Sequence, residues 1–352
     1  MSRYFSDKYA DLEAYVPGEQ PKDQHYIKLN TNENAFPPHP AVAKAVAEES
    51  GKLHLYSDPE CRELREALAA RLEVEPEELL MTNGSDEILN FAFMAFCDEY
   101  TPAVFPDITY GFYPVFAAVN RVPYREIPLE EDLTIDPEKY TQTAGTIFIA
   151  NPNAPTGIAL TRGQIEGILQ SNPYNVVVVD EAYVDFGAES CIPLIREYEN
   201  LLVTQTFSKS RSLAGGRLGF GAGNPELIRD LNTVKYSTNP YNVNRLTNAA
   251  ALACLTNDEY YTENCRTIAD TREWTAREMK RLGFELTPSS ANFLFAVHPR
   301  IDGETFYREM KERGILIRHF SGARIREYNR ISVGTREQME TFVRTAAAIL
   351  ES

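Results

Sequence analysis

The sequence is poor in paired cysteine, in basic charge and in long apolar runs. Its five cysteines (Cys61, Cys97, Cys191, Cys254, Cys265) are odd in number and scattered, and none forms a CxxC pair. That spacing excludes a disulfide framework and a zinc site and leaves reduced thiols. Lys and Arg number 35 against 51 Asp and Glu, a net charge of -16. Such a balance argues against nucleic acid or an anionic membrane as the main partner. No stretch approaches the ~18 apolar residues of a membrane span. The opening MSRYFSDKYADLEAY lacks the apolar core of a signal peptide. The expectation is a cytoplasmic protein with no metal, no nucleic-acid partner and no membrane.

What is present is material for a large core. At 352 residues with 43% hydrophobic side chains, two packed domains are the default. Residues 1–38 read as an irregular arm. Pro17-Gly18, Pro21, the asparagines of residues 29–34 and Phe36-Pro37-Pro38 exclude regular structure there. Tyr15, Tyr26 and Phe36 give the arm something to bury, so it is expected to strap a site or a subunit. A helix is expected over residues 40–49. Asp58 as N-cap and Pro59 as first helical residue open another, with Leu64, Leu68 and Leu72 on one stripe. From residue 79 to 220 short apolar runs alternate with helical stretches, which predicts a parallel-rich sheet with helices on both faces. After Asn248 the pattern changes to a long helix over 258–282, strands near 284–286, 292–295, 315–318 and 329–334, and a final amphipathic helix. The chain thus divides into an arm (1–38), a large domain (39–248) and a small α+β domain (249–352).

Polar clusters close most of the strands. The run over residues 201–222, LLVTQTFSKSRSLAGGRLGFGA, begins as a buried strand and places Lys209 just past that strand's end, where open α/β sheets bind ligands. Hydroxyls and Arg217 nearby suggest an amine nucleophile beside a bound phosphate; a solvated loop lysine is the plain alternative. Thr82-Asn83-Gly84-Ser85-Asp86 at a helix start is an anion cradle or an ordinary capped helix. Tyr110 follows a strand end, where a ring stacks on a flat ligand or simply packs. The β-branched run of residues 176–179 suits a strand buried on both faces. It ends in Asp180, whose burial is costly unless a cation meets it.

Together NPNAPTG, VVVVDEAYVDF, TFSKSRSLAGGRLG and NRISVG resemble the pyridoxal-phosphate (PLP) enzymes of the aspartate-aminotransferase fold, fold type I. Within that superfamily AYVPG, LNTNENAFPP, LYSDPECRELREALA, MTNGSDE and RHF ahead of NRISVGT resemble the histidinol-phosphate aminotransferase family. The resemblance covers nearly the whole chain in the family's order. It implies an α/β large domain with a mixed, mostly parallel seven-stranded sheet between helices, a smaller α+β domain, PLP as cofactor and a homodimer.

Carried onto matching positions, Lys209 is similar to the lysine that holds the cofactor and moves the Cα proton. Asp180 resembles the carboxylate paired with the pyridine nitrogen, Tyr183 the phenol bonding O3′, and Tyr110 the ring stacked on the pyridine. Gly84, Ser85, Asp86, Thr206, Ser208 and Arg217 match the phosphate cup, and Tyr56 a tyrosine reaching that phosphate from the neighbouring subunit. Arg330 resembles the arginine that grips the amino acid's carboxylate, while Arg318 and Tyr15 match the groups that receive the substrate's phosphate. Arg318 in a surface ion pair is the plain alternative.

Two positions depart from the family. Ala154 stands where its asparagine contacts O3′, so either Asn153 or Asn151 supplies that donor or the bond is absent. Gly216 stands beside Arg217 in AGGR, where the family has AGLR. The implied activity is amino transfer between L-histidinol phosphate and 2-oxoglutarate, giving imidazole-acetol phosphate and L-glutamate, a step of histidine biosynthesis. An aromatic or broad-range aminotransferase and a threonine-phosphate-type decarboxylase are alternatives on the same scaffold. A non-catalytic PLP-binding regulator would carry a DNA-binding module, for which the chain has no basic patch.

Overall fold

A computed structural model describes residues 2–10 and 12–351. The arm carries one short strand, β1 (Ile27–Lys28), and leads to helices α1 (Pro40–Ser50) and α2 (Arg62–Leu72). The main sheet follows, built from β2 (Leu79–Thr82), β3 (Ala103–Pro106), β4 (Tyr124–Ile127), β5 (Thr146–Ala150), β6 (Val177–Asp180), β7 (Leu201–Thr206) and β8 (Gly219–Gly223). Its order is β2-β8-β7-β6-β5-β3-β4; the five strands from β7 to β4 are parallel and β8 runs antiparallel to both neighbours. Helices α3 (Ser85–Phe96), α4 (Tyr113–Asn120), α5 (Arg162–Ser171) and α6 (Pro225–Thr238) complete this layer.

Side chains alternate across the central strands. Ile147 and Ile149 of β5, Val177 and Val179 of β6, and Leu201 and Val203 of β7 enter one core with α1, α2 and α5. Phe148, Val178 and Leu202 enter another, under α3, α4 and α6. Both faces are therefore covered, which is why these strands read as unbroken apolar runs and not as alternating ones.

Beyond the sheet, α7 (Arg245–Thr256) packs against α1, and α8 (Asp258–Arg281) leads to β9 (Glu285–Leu286) and β10 (Phe293–Val297). Helix α9 (Gly303–Glu312), strands β11 (Ile315–Leu316), β12 (Arg318–His319) and β13 (Asn329–Ser332), and α10 (Arg336–Glu351) close the chain. A second, antiparallel sheet runs β12-β13-β10-β9, over a separate core of Leu294, Phe306, Met310, Ile331 and Phe342. The boundary expected after residue 248 falls inside α7. Among the described residues no helix is long and apolar enough to cross a membrane.

Three local expectations need correction. The arm is not wholly irregular: β1 pairs in parallel with β11, Ile27 opposite Ile315 and Lys28 opposite Leu316. The strand expected over 315–318 is two, because β11 faces the arm while β12 pairs with β13. Helix α2 begins at Arg62, not at Pro59. Cys61 is left-handed, and the Asp58 carboxylate accepts from the Glu60 and Arg62 amides, capping a turn ahead of the helix.

Phe148 is fully buried and stacks on Phe93 at 4.2 Å between ring centroids. Phe148→Ala should lower stability in urea unfolding by ~3–5 kcal/mol. Tyr174→Ala, at a fully solvent-facing position, should stay within about 0.5 kcal/mol of the parent.

Candidate active site

One rim of the main sheet collects the chemistry. The parallel strands β3, β5, β6 and β7 end there, and the register Thr82–Gly219–Thr206 brings the end of β2 and the start of β8 to the same edge. Gly219 is required at that junction, since a Cβ would sit 2.4 Å from the Ser85 amide. Gly84 has φ +78°, and a Cβ there would lie 2.6 Å from an Arg217 nitrogen. Helix α3 starts after Gly84 with no side-chain cap, so its first amides remain free to meet an anion. Arg217, itself left-handed at φ 55°, donates to Ser208 Oγ (3.3 Å) and to Asp86 (3.2 Å). Thr206 Oγ1 donates to the Leu218 carbonyl and accepts from the Ser208 amide, shaping the turn that leads to Lys209. Ser85, Asp86, Thr206, Ser208, Lys209 and Arg217 thus line one small cavity of about 100 Å³, together with Asp180, Tyr110 and Tyr183.

Asp180 closes β6 at the floor of this cavity. It is 5% exposed, and burial, then the nearby Asp86 charge, push its carboxyl up to about 7. Among the described residues two weak donors oppose this, the Ala182 amide at 3.3 Å and the Tyr113 hydroxyl at 3.4 Å. No salt bridge reaches it among the described residues. The carboxylate therefore lacks the cation that its position calls for. Tyr110 stands on the opposite wall and donates to Asp86 at 2.6 Å. Burial, then Asp86, holds its phenol well above the usual range, so it stays protonated.

Lys209 Nζ donates to the Thr31 carbonyl of the arm at 3.2 Å and lies 5.7 Å from the centre of the Tyr183 ring. Tyr183 Oη accepts from Asn32 Nδ2 at 3.1 Å. Tyr110, Ala154, Tyr183 and Lys209 also border a wider cleft of about 620 Å³. Arg318 and Arg330 line it, directly opposite each other across the β12–β13 pair. Like charges in that register repel, and burial, with Arg318 among the further causes, lowers the Arg330 pKa. Arg330 donates to the Asn30 carbonyl at 3.3 Å, and its Nε has no partner. Two guanidiniums so placed form a receptor for anions. Tyr15 lines the same cleft, with its ring against Phe112 at 4.7 Å.

Two expected residues lie elsewhere. Asn153 does not border the small cavity. Its amide donates to the Ile108 carbonyl (2.9 Å) and Thr156 Oγ1 (3.2 Å), and its oxygen accepts from Thr109 (2.7 Å). Asn151 exchanges two hydrogen bonds with the Leu160 backbone. Ala154 alone of the three lines the cavity, whereas both asparagines, including Asn153 that the resemblance offered as a cofactor donor, are engaged in fixing the loop. Tyr56 sits away from the cleft, 78% exposed and stacked on Tyr241 at 4.5 Å. Residues that sequence reasoning passed over are Tyr113 under Asp180, Asn32 on Tyr183, and Asn34, which donates to the Lys209 carbonyl at 2.8 Å. The asparagine-rich LNTNEN run was the available signal.

The donor set suits a phosphorylated pyridine. A ring nitrogen carrying a proton supplies the cation Asp180 lacks, a phosphate suits Arg217, the hydroxyls and the free helix amides, and an aldehyde falls to the Lys209 amine.

Residues 24–345 match the family model for aminotransferases of class I and II. The histidinol-phosphate aminotransferase of Acinetobacter baumannii strain ATCC 17978 is 47% identical over 347 residues, spanning 97% of this chain and 96% of that protein. The enzyme of the same name from Clostridium botulinum strain Kyoto is 45% identical, spanning 97% of each. The crystal structure of histidinol-phosphate aminotransferase from Sinorhizobium meliloti in complex with pyridoxal-5′-phosphate superposes with a TM-score of 0.89, at 23% identity, over 100% of this chain and 98% of that one.

The raised Asp180 pKa carries a sign. Because the folded value (about 7) exceeds the unfolded one (3.8), its favourable contribution is complete below about pH 4 and lost as the pH rises through 7. In cofactor-free protein Asp180→Asn, which mimics the protonated acid, should gain stability over the parent across that window. The gain should reach at most about 4 kcal/mol, read from paired urea titrations at pH 5 and pH 8.

Proposed function

Because the chain belongs to the aminotransferases of class I and II, we propose that its cleft holds PLP and exchanges an amino group between L-histidinol phosphate and 2-oxoglutarate. The 47% identity to the Acinetobacter enzyme over the whole chain supports this substrate pair. The observation that carries the reading is the opposed pair Arg318 and Arg330 in the cleft that Lys209 also borders. Both partners bring an anion to the reacting carbon, a carboxylate in glutamate and a phosphate in histidinol phosphate.

When bound, the cofactor supplies an aldehyde for the amino group and a ring that takes up the electrons left as the Cα proton departs. Lys209 Nζ would hold the cofactor's aldehyde, and the same Nζ would remove the proton from the substrate's Cα, an acid–base role made efficient by tethering. Asp180 would keep a proton on the ring nitrogen, Tyr183 and Tyr110 would orient the ring, and Arg217 with Thr206 and Ser208 would anchor the phosphate. Arg330 takes the carboxylate of glutamate, and Arg318 with Tyr15 the phosphate of histidinol phosphate. With Ala154 offering no donor and the loop asparagines engaged in the loop, Tyr183 would hold O3′.

A homodimer completes the site in this reading. Leu53, Leu55 and Tyr56 are exposed side by side, an apolar surface suited to a second copy, whose phosphate cup Tyr56 would reach.

With PLP added, L-histidinol phosphate and L-glutamate should each shift the absorbance of the lysine-linked cofactor in single turnover. Silence with both overturns the reading, and CO2 release instead of oxoacid formation transfers it to a decarboxylase. Lys209→Ala should lose that absorbance together with turnover, by at least ~10²-fold. Arg330→Ala should raise the glutamate KM by about tenfold or more, as loss of a charge-assisted carboxylate contact requires.

A further inference from the structure

The cleft beyond Lys209 is lined by charges of both signs, and only one of its carboxylates is unspent. Asp107 and Glu126 stand together at the edge of the main sheet, because the parallel β3–β4 register sets Glu126 beside Phe105 and Asp107 follows two residues later. Asp107 is fully engaged. Its Oδ2 accepts from Arg324 at 2.8 Å and its Oδ1 from the Leu129 amide at 2.9 Å. Arg324 is engaged as well, donating further to the Leu129 and Glu130 carbonyls at 3.0 and 2.8 Å. Glu126 borders the same cleft, yet among the described residues it has no hydrogen-bond donor and no salt bridge. Glu126 is exposed along β4; slight desolvation, then the Asp107 charge, raise its carboxyl.

The cleft is therefore polarised. Arg318 and Arg330 come from the small sheet, while an unpaired carboxylate stands on the edge strand of the large one. A ligand complementary to it carries an anion at one end and an N–H donor at the other. Building on the proposed function, we infer that Glu126 is the specificity-determining residue that accepts the imidazole N–H of L-histidinol phosphate. Glutamate has no such donor, and its own carboxylates gain nothing from Glu126. The residue discriminates between the two amino donors without touching the reacting carbon, and neutralising it acts on one half-reaction alone.

The test uses the PLP-loaded full chain with Glu126→Gln, which keeps the size and removes the charge, and Glu126→Ala, which removes both. Glu126→Ala should raise the KM for L-histidinol phosphate about tenfold, the loss of one hydrogen bond to a charged group, with kcat within twofold; Glu126→Gln should fall between. The glutamate KM and the inhibition constant of O-phospho-L-threonine, which has the phosphate and amine but no ring, should stay within twofold of the parent. A histidinol-phosphate KM within twofold of the parent in both variants overturns the inference alone. So does a parallel shift for all three ligands, which would mark a general electrostatic or structural effect. A parent enzyme that reacts with glutamate but not with L-histidinol phosphate overturns the proposed function and this inference with it.

Discussion

A buried carboxylate with no salt bridge among the described residues, Asp180, is the constraint on which this structure turns. Asp180 is fixed at the end of β6, between the covered faces of a sheet whose neighbouring strands admit no solvent. Left to itself the group is shifted toward its neutral form, its carboxyl pushed up to about 7. A protonated ring nitrogen held beside Asp180 would reverse that shift, so the cost of burying Asp180 would be offset only when such a ligand binds. Around it Arg217 with the hydroxyls of Thr206 and Ser208, the two tyrosines and Lys209 occupy positions set by a single sheet edge. That common frame is what keeps them in mutual register.

The arm ties this edge to the small sheet. Its asparagine-rich run bonds in both directions: Asn34 to the Lys209 backbone, Asn32 to Tyr183 and to Ser332 of β13, and Asn30 to Arg330 through its carbonyl. Asn292, just ahead of β10, donates to the Asn32 carbonyl at 3.0 Å. Backbone groups that would otherwise be buried without partners are satisfied in this way. An irregular segment thus serves as the bond between cofactor compartment and anion receptor. Movement of the small sheet relative to the large one must strain or rearrange these contacts, which couples the substrate end of the cleft to the lysine.

Much of this was legible in the chain. The unbroken apolar runs of β5, β6 and β7 predict strands covered on both faces, and they are. Lys209, Asp180, Arg217 and the glycine turn at Gly84 stand at strand ends, where the connection of each strand brings its ligand-facing residue to one rim. Less accessible were features that depend on partners distant in sequence. The arm strand at Ile27–Lys28 exists because Ile315–Leu316 offers it an edge, and no local pattern at either place announces the other. The start of α2 shifted because a left-handed residue at Cys61 overrode a good capping sequence at Asp58. Asn153 kept the family's chemical type but spends its amide inside the loop.

The sequence by itself determined the parts: the order of most strands and helices, and which lysine, acid and arginine close the strands that meet at one rim. These follow from local periodicity, turn chemistry and residue type, which a short window of chain contains. Only the tertiary structure decided which charges remain free. Asp107 and Glu126 read alike as acidic residues near strand ends, yet Arg324, some 200 positions away along the chain, neutralises one and leaves the other open. Whether a polar group is spent or available depends on what folding brings within about 3 Å of it, and that distance is written nowhere in the linear chain.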